Sequence, residues 1–350
     1  MGSEGVPGLL IERVSDKTGI TRLVSAFGRE TIAPYLFLVL VWVYDSIILS
    51  GVSFVITGRT QFESPYQLII PVGLILGVWL TRTLRTKYTS AVRSLPGQEL
   101  AEEALIEHPD SRHRLVLWVA IYLVWLVLVW ASPGERTAFI ELHGPIIATV
   151  KYLTVAPLYY LLFADIIALL AVSLLILPWK IYRSNLTLDF SDVTGFAGLY
   201  TTGRLVQLSA VIYYVGLTIW TIFLVAPNIA GTPSDISSAD SSVFMALWLG
   251  GLLLYTTPGF LLHRHMVRQK RELIEEIDQD IRAMDPDGEE KGIPYLSPPM
   301  EDVPRIQQKY IELQQVQNTR EYPANVTLVG EFVLVTFLPI VFQWAVSTGL

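Results

Sequence analysis

Two carboxylates and one amide stand where a hydrocarbon environment penalises them. Asp45 lies in LVWVYDSIILS and Asp165 in YYLLFADIIALL, each near the middle of an apolar run, and Gln343 sits near the end of TFLPIVFQW. An ionised carboxylate at bilayer depth costs roughly 2.5 to 3.5 kcal/mol even on lenient insertion scales. Two kinds of chemistry would justify it. The acids could form a cation or proton pathway, or they could be hydrogen-bonded ties between helices, with Tyr44, Ser46, Tyr159 and Tyr160 as candidate partners. No Lys or Arg falls at the middle of an apolar run, so the expectation is an unpaired, net negative interior that suits cations better than anions. In the last run, Thr336, Ile340 and Gln343 are spaced by four and three, which puts them on one face of a helix bent at Pro339. That face suits a neighbouring helix, through an interhelical hydrogen bond from Gln343, or a pore.

The elements that must position these residues are membrane spans. The chain has 350 residues, 52% of them hydrophobic and only 16% charged, which is a membrane-protein profile. Apolar stretches long enough to cross a ~30 Å hydrocarbon core run roughly over 34 to 57, 66 to 84, 115 to 132, 154 to 178, 205 to 226, 243 to 262 and 326 to 348. Runs this continuous suit helices rather than a barrel. The expected fold is an all-α polytopic membrane protein of the cell membrane with seven transmembrane helices. Of 25 Lys and Arg, 22 lie in the N-terminal arm and in the loops after the second, fourth and sixth runs. The positive-inside rule therefore predicts a cytoplasmic N-terminus and an extracellular C-terminus. The arm has no cleavable signal pattern, and its Leu10, Val14, Leu23 and Phe27 suit an amphipathic helix at the inner interface.

The predicted organisation is an arm over 1–32, six spans over 33–262, a cytoplasmic helical extension over 263–322 and the last span over 323–350. The extension carries two apolar stripes at helical spacing, Leu273, Ile277, Ile281, Met284 and Val303, Ile306, Tyr310, Leu313, separated by turn-forming residues. The second stripe could pack within the subunit as a hairpin or anchor one subunit to another.

Enzyme chemistry finds little support. The chain has no cysteine, its five histidines are scattered, and it carries no HExxH, GxSxG or phosphate-binding loop. An intramembrane aspartyl protease would need glycines around Asp165 that FADII lacks. Asp189 and Asp192, near Gly195 and Gly198, match no calcium-loop spacing and read as a turn leading into the fifth run. No metal, cofactor or nucleic-acid partner is expected; the lipid bilayer is.

The stretch Thr336-Phe337, LPIVF, Gln343-Trp344 resembles the last-helix signature of the insect gustatory and odorant receptor superfamily, Thr-Tyr, five mostly apolar residues, Gln-Phe. The plan is similar too: seven helices, N-terminus inside, short outer loops and a long inner helical segment before the last span. The Arg-rich, acidic composition suggests a microbial source, so the relationship would be distant. The resemblance implies a ligand-gated, non-selective cation channel of four subunits, a homotetramer with the last helices lining the pore. Thr336, Ile340 and Gln343 would then face it, with Ile340 as a hydrophobic constriction. Tyr159, Tyr160, Tyr213 and Tyr214 become candidates for a small-molecule pocket, and Val303, Ile306, Tyr310 and Leu313 for the subunit anchor. Two other classes remain open: a proton- or cation-coupled transporter using Asp45 and Asp165, which should show an internal repeat, and a non-conducting membrane sensor or scaffold.

Overall fold

The computed structural model describes residues 8–58, 69–95, 111–131, 133–184, 186–190, 196–229, 238–284 and 303–319, together with Phe337 and Val341. Among these the fold is all-helical, without a strand. The helices are α1 Leu10–Lys17, α2 Ile20–Ser25, α3 Glu30–Thr57, α4 Ile69–Arg93, α5 Ser111–Ala131, α6 Pro133–His143, α7 Pro145–Arg183, α8 Tyr200–Ile229, α9 Ser238–Met284 and α10 Val303–Asn318. Among the described residues, three helical stretches are long and apolar enough to cross a membrane: Glu30–Thr57, Pro145–Arg183 and Met245–Met284. The described part of each of the first six apolar runs lies within a helix. Thr336, Ile340 and Gln343 lie outside the described residues.

Local chemistry sets the boundaries. Gly58 ends α3 with a left-handed φ of 72° and donates its N–H to the Phe54 carbonyl at 2.8 Å, a cap that glycine adopts without steric penalty. Pro145 opens α7 directly after Gly144, whose φ is 74°, since proline suits a first helical turn. Further along, α7 widens into π turns at Lys151–Val155 and Val172–Ile176, just before Pro157 and Pro178. Proline removes an N–H and crowds the preceding turn, and a wider turn relieves both. The π turn of α3, Tyr44–Leu49, has no such proline. There the Ser50 hydroxyl donates to the Asp45 carbonyl at 3.0 Å, giving that oxygen a partner.

α7 is the hub. It packs against α1, α3, α4, α5, α6, α8 and α9. Leu161, Leu162, Ala164, Ala168, Leu169, Val172 and Leu174 are buried along it. A Cβ on Gly77 of α4 would sit 2.8 Å from Leu162, so glycine permits the close approach of these helices, as small residues do in membrane packing. The outward faces are apolar: Val52 and Val55 on α3, Val116, Val124 and Val127 on α5, and Leu253 and Phe260 on α9 are exposed. Charged groups are buried while valines face outward, an inversion consistent with a hydrocarbon surround.

At the other end, α9 continues for 47 residues through positions 262 and 263 without a break. α10 folds back on it. Ile277, Ile281, Ile306 and Val316 are buried there, and Tyr310 and Leu313 pack against the same core. Val303 is exposed. Lys309 bridges to Asp280 of α9 at 3.0 Å. Most of the second stripe is thus spent within the chain. The arm divides as well: Leu10 is buried and Val14 half-buried, whereas Leu23 and Phe27 are 62% and 78% exposed.

Candidate functional site

Asp45 and Asp165 each have a basic partner on another helix, which overturns the expectation of unpaired carboxylates. Asp165 on α7 is fully buried, and Arg114 on α5, also fully buried, lies 3.3 Å from its Oδ1. The same carboxylate accepts the backbone N–H of Leu10 at 3.0 Å and of Ile11 at 3.1 Å. The first turn of a helix leaves its N–H groups without intrahelical acceptors, and a carboxylate from a distant helix supplies them for α1. Glu12 completes the junction. Its Oε1 lies 2.8 Å from Arg82 and its Oε2 2.9 Å from Arg85, both on α4. Two acids, three arginines and a helix N-terminus therefore fasten α1 against α4, α5 and α7.

The second site is nearer the start of α7. Lys151 Nζ lies 2.9 Å from Asp45 Oδ1, a close ion pair that is poorly aligned as a hydrogen bond. The ammonium also donates to Ser50 Oγ at 3.2 Å. Of the four candidate partners for the acids, Tyr159 is the one that reaches Asp45, its hydroxyl 3.4 Å from Oδ2. A polar seam continues along α3: Ser53 Oγ donates to the Leu142 carbonyl at 3.1 Å and lies 3.4 Å from His143 Nδ1, and Thr57 donates to the same carbonyl at 3.2 Å. Both members of the ion pair belong to π turns, which place them on the faces where the two helices meet.

The expectation failed for a physical reason. Hydropathy set the edges of the apolar runs at 115 and 154, leaving Arg114 and Lys151 outside. The helices begin earlier, at Ser111 and Pro145, and long basic side chains reach several ångströms inward from their Cα. The signal was present: Gly144-Pro145 is a helix start, and it places Lys151 nearly two turns inside.

The four candidate pocket tyrosines separate into two pairs with different partners. Tyr160 packs on Trp125 at 5.3 Å and on Phe163 at 5.7 Å, within an aromatic cluster of α5 and α7. Tyr213 and Tyr214 meet edge to face at 5.5 Å and donate to the Leu247 and Trp248 carbonyls of α9. Phe337, from the last apolar run, lies 6.3 Å from Trp248. No group of three or more metal-ligating side chains occurs among the described residues.

Chemically, the two sites neutralise the interior and tie distant helices together. Neither leaves a lone carboxylate to bind a cation. No family model, no curated protein and no solved structure matches this chain.

Proposed function

We propose that the chain is a seven-span, chemoreceptor-like membrane protein with its N-terminus in the cytoplasm, whose own helical bundle senses rather than conducts. The observation that carries this is the pairing of Asp45 with Lys151 and of Asp165 with Arg114. Ion-paired acids make a poor cation relay, so the coupled-transporter alternative loses its chief support. The element left for conduction is the last apolar run, with Thr336, Ile340 and Gln343 on one face, in an assembly of subunits for which four is the reading the resemblance favours. The continuous α9 with α10 folded on it fits an inner arm leading to that last span.

The test is bilayer recording of purified protein, wild type beside Gln343→Ala and Ile340→Ala, with subunit number measured on the same preparation. Cation-selective openings altered by both substitutions, from a tetramer, are expected. A silent monomer, with or without added ligand candidates, overturns the conducting part and leaves a membrane sensor or scaffold. The chain has no native cysteine, so single cysteines can map topology in intact membranes. An impermeant thiol reagent should label position 16 only from the cytoplasmic side and should miss positions 55 and 116, exposed though they are.

A further inference from the structure

A cleft of about 370 Å³ lies between α4 and α8. From α4 it is lined by Thr83, Lys87 and Ser90, which share one face at spacings of four and three; from α8 come Tyr200, Thr201, Arg204 and Gln207, then Leu208 and Val211. Chemistry changes along its length. Lys87 and Ser90 lie beyond the second apolar run and Tyr200, Thr201 and Arg204 before the fifth, so the cationic end sits at a membrane surface. Leu208 and Val211 lie inside the fifth run, so the other end is apolar and at hydrocarbon depth.

Neither Lys87 nor Arg204 has a carboxylate partner among the described residues. Arg204 instead rests over the Tyr200 ring at 5.7 Å. Ser94 and Thr201 hydrogen-bond across the polar end and hold the two helices together there. Gln207 is 6% exposed and lines the cleft, yet its amide oxygen and nitrogen make no hydrogen bond of normal geometry; the Tyr255 hydroxyl approaches without completing one. A buried amide with one imperfect contact is under-satisfied, which is costly, and a ligand carrying acceptors and donors would relieve it.

We infer that this cleft binds an anionic phospholipid, with the phosphate held by Lys87, Arg204 and the Ser90 and Thr201 hydroxyls, and the glycerol esters near Gln207. An acyl chain would follow Leu208 and Val211. Two cations at a membrane surface recognise phosphate, and a free phosphate ester offers the same anion; the apolar continuation of the cleft favours the lipid. The inference rests on the membrane-spanning reading, which is checked first on the same material: the chain must stay with membranes through an alkaline wash.

The experiment measures thermal stability of the full chain in neutral detergent while phosphatidylglycerol, phosphatidylcholine or glycerol phosphate is added. Phosphatidylglycerol should raise the melting temperature saturably, and the other two should not. Lys87→Gln with Arg204→Gln should weaken the apparent lipid affinity by about thirtyfold, from roughly fivefold per cation. Arg271→Gln with Arg305→Gln, a control with the same loss of charge, should leave it unchanged. Equal response of both double variants, or a response to glycerol phosphate as strong as to the lipid, overturns the assignment. Should the cleft variant fail to fold, a phosphatidylglycerol with a photoreactive acyl chain is crosslinked to wild type: adducts at Leu208 and Val211 support the site, and adducts elsewhere alone refute it.

Discussion

The carboxylate of Asp165 receives the backbone N–H of Leu10 from 155 residues away, at 3.0 Å. A residue in the middle of the hub helix thereby acts as the N-terminal acceptor of the first helix in the chain. Arg114 beside it compensates the charge that this role requires. The arrangement ties the first turn of α1 to one buried ion pair, beside the Glu12 bridges to Arg82 and Arg85.

Asp165→Leu should therefore do two things at once. It leaves Arg114 buried without its counter-ion, at a cost of about 3 to 5 kcal/mol, and it frees α1. Arg114→Met alone should also destabilise, by a similar amount. The double variant should recover much of the stability, because a buried pair replaced by apolar groups is often close to neutral. Hydrogen exchange resolves the second effect: residues 10 to 17 should lose protection in both variants that lack Asp165.

Removing the other base should expose a different weakness. Lys151→Met leaves Asp45 with only the long contact from Tyr159, so the melting temperature should fall and Tyr159→Phe should then cost more than it does in wild type. Asp45→Asn added to Lys151→Met should restore part of the loss. A thermal-unfolding cycle over these variants measures the coupling, and strict additivity would mean that the pair contributes nothing.

His143, on α6 outside the spanning segments, is pushed down to about 4 by burial, with the Lys151 charge adding to the effect. Its ordinary value is 6.5. Between these two values the unfolded chain binds a proton that the folded chain refuses, so stability is full above about pH 6.5 and falls as pH drops toward 4. The loss has a ceiling of about 3 kcal/mol. His143→Gln should flatten this part of the profile, and melting curves at pH 7.5 and 4.5 compare the two proteins. An equal drop in both would assign the pH dependence to other groups.

α10 should belong to its own subunit. Hydrogen bonding to Asp280 holds the Lys309 ammonium above the ordinary lysine range, so the two remain oppositely charged at neutral pH. A zero-length carbodiimide should join them within one chain, giving a crosslinked peptide but no band of doubled mass. The bridge is partly exposed and of little consequence for stability; Ile306, 5% exposed, is the stronger element, and Ile306→Ala should cost about 2 to 4 kcal/mol.

The helices were legible because twenty-residue apolar runs leave few alternatives. Their ends were less so, since a helix goes on wherever propensity and packing allow, and α7 outruns its apolar stretch on both sides. The stripe of Ile306, Tyr310 and Leu313 could be read from spacing, but not its partner, because an apolar face does not name what covers it. Both acids stood out by type and depth. Arg114 did not, since depth judged from hydropathy ignores side-chain reach. The docking of Leu10 on Asp165 leaves no local trace at all: nothing in GLLIER marks a helix whose first amides will be capped from the middle of the chain.

The π turn of α3 sets the phase of everything beyond it. One residue more than an α turn needs advances the remainder of the helix by about 100°, and that offset is what brings Ser53 and Thr57 round to the Leu142 carbonyl. Deleting a single residue between Asp45 and Ser50 would let the helix close up as a plain α-helix. Hydropathy and length would hardly change, yet the second half of the helix would turn its hydroxyls to the outward face and its valines toward α6. For this segment, insertions and deletions of one residue matter more than most substitutions, because the information it carries is angular.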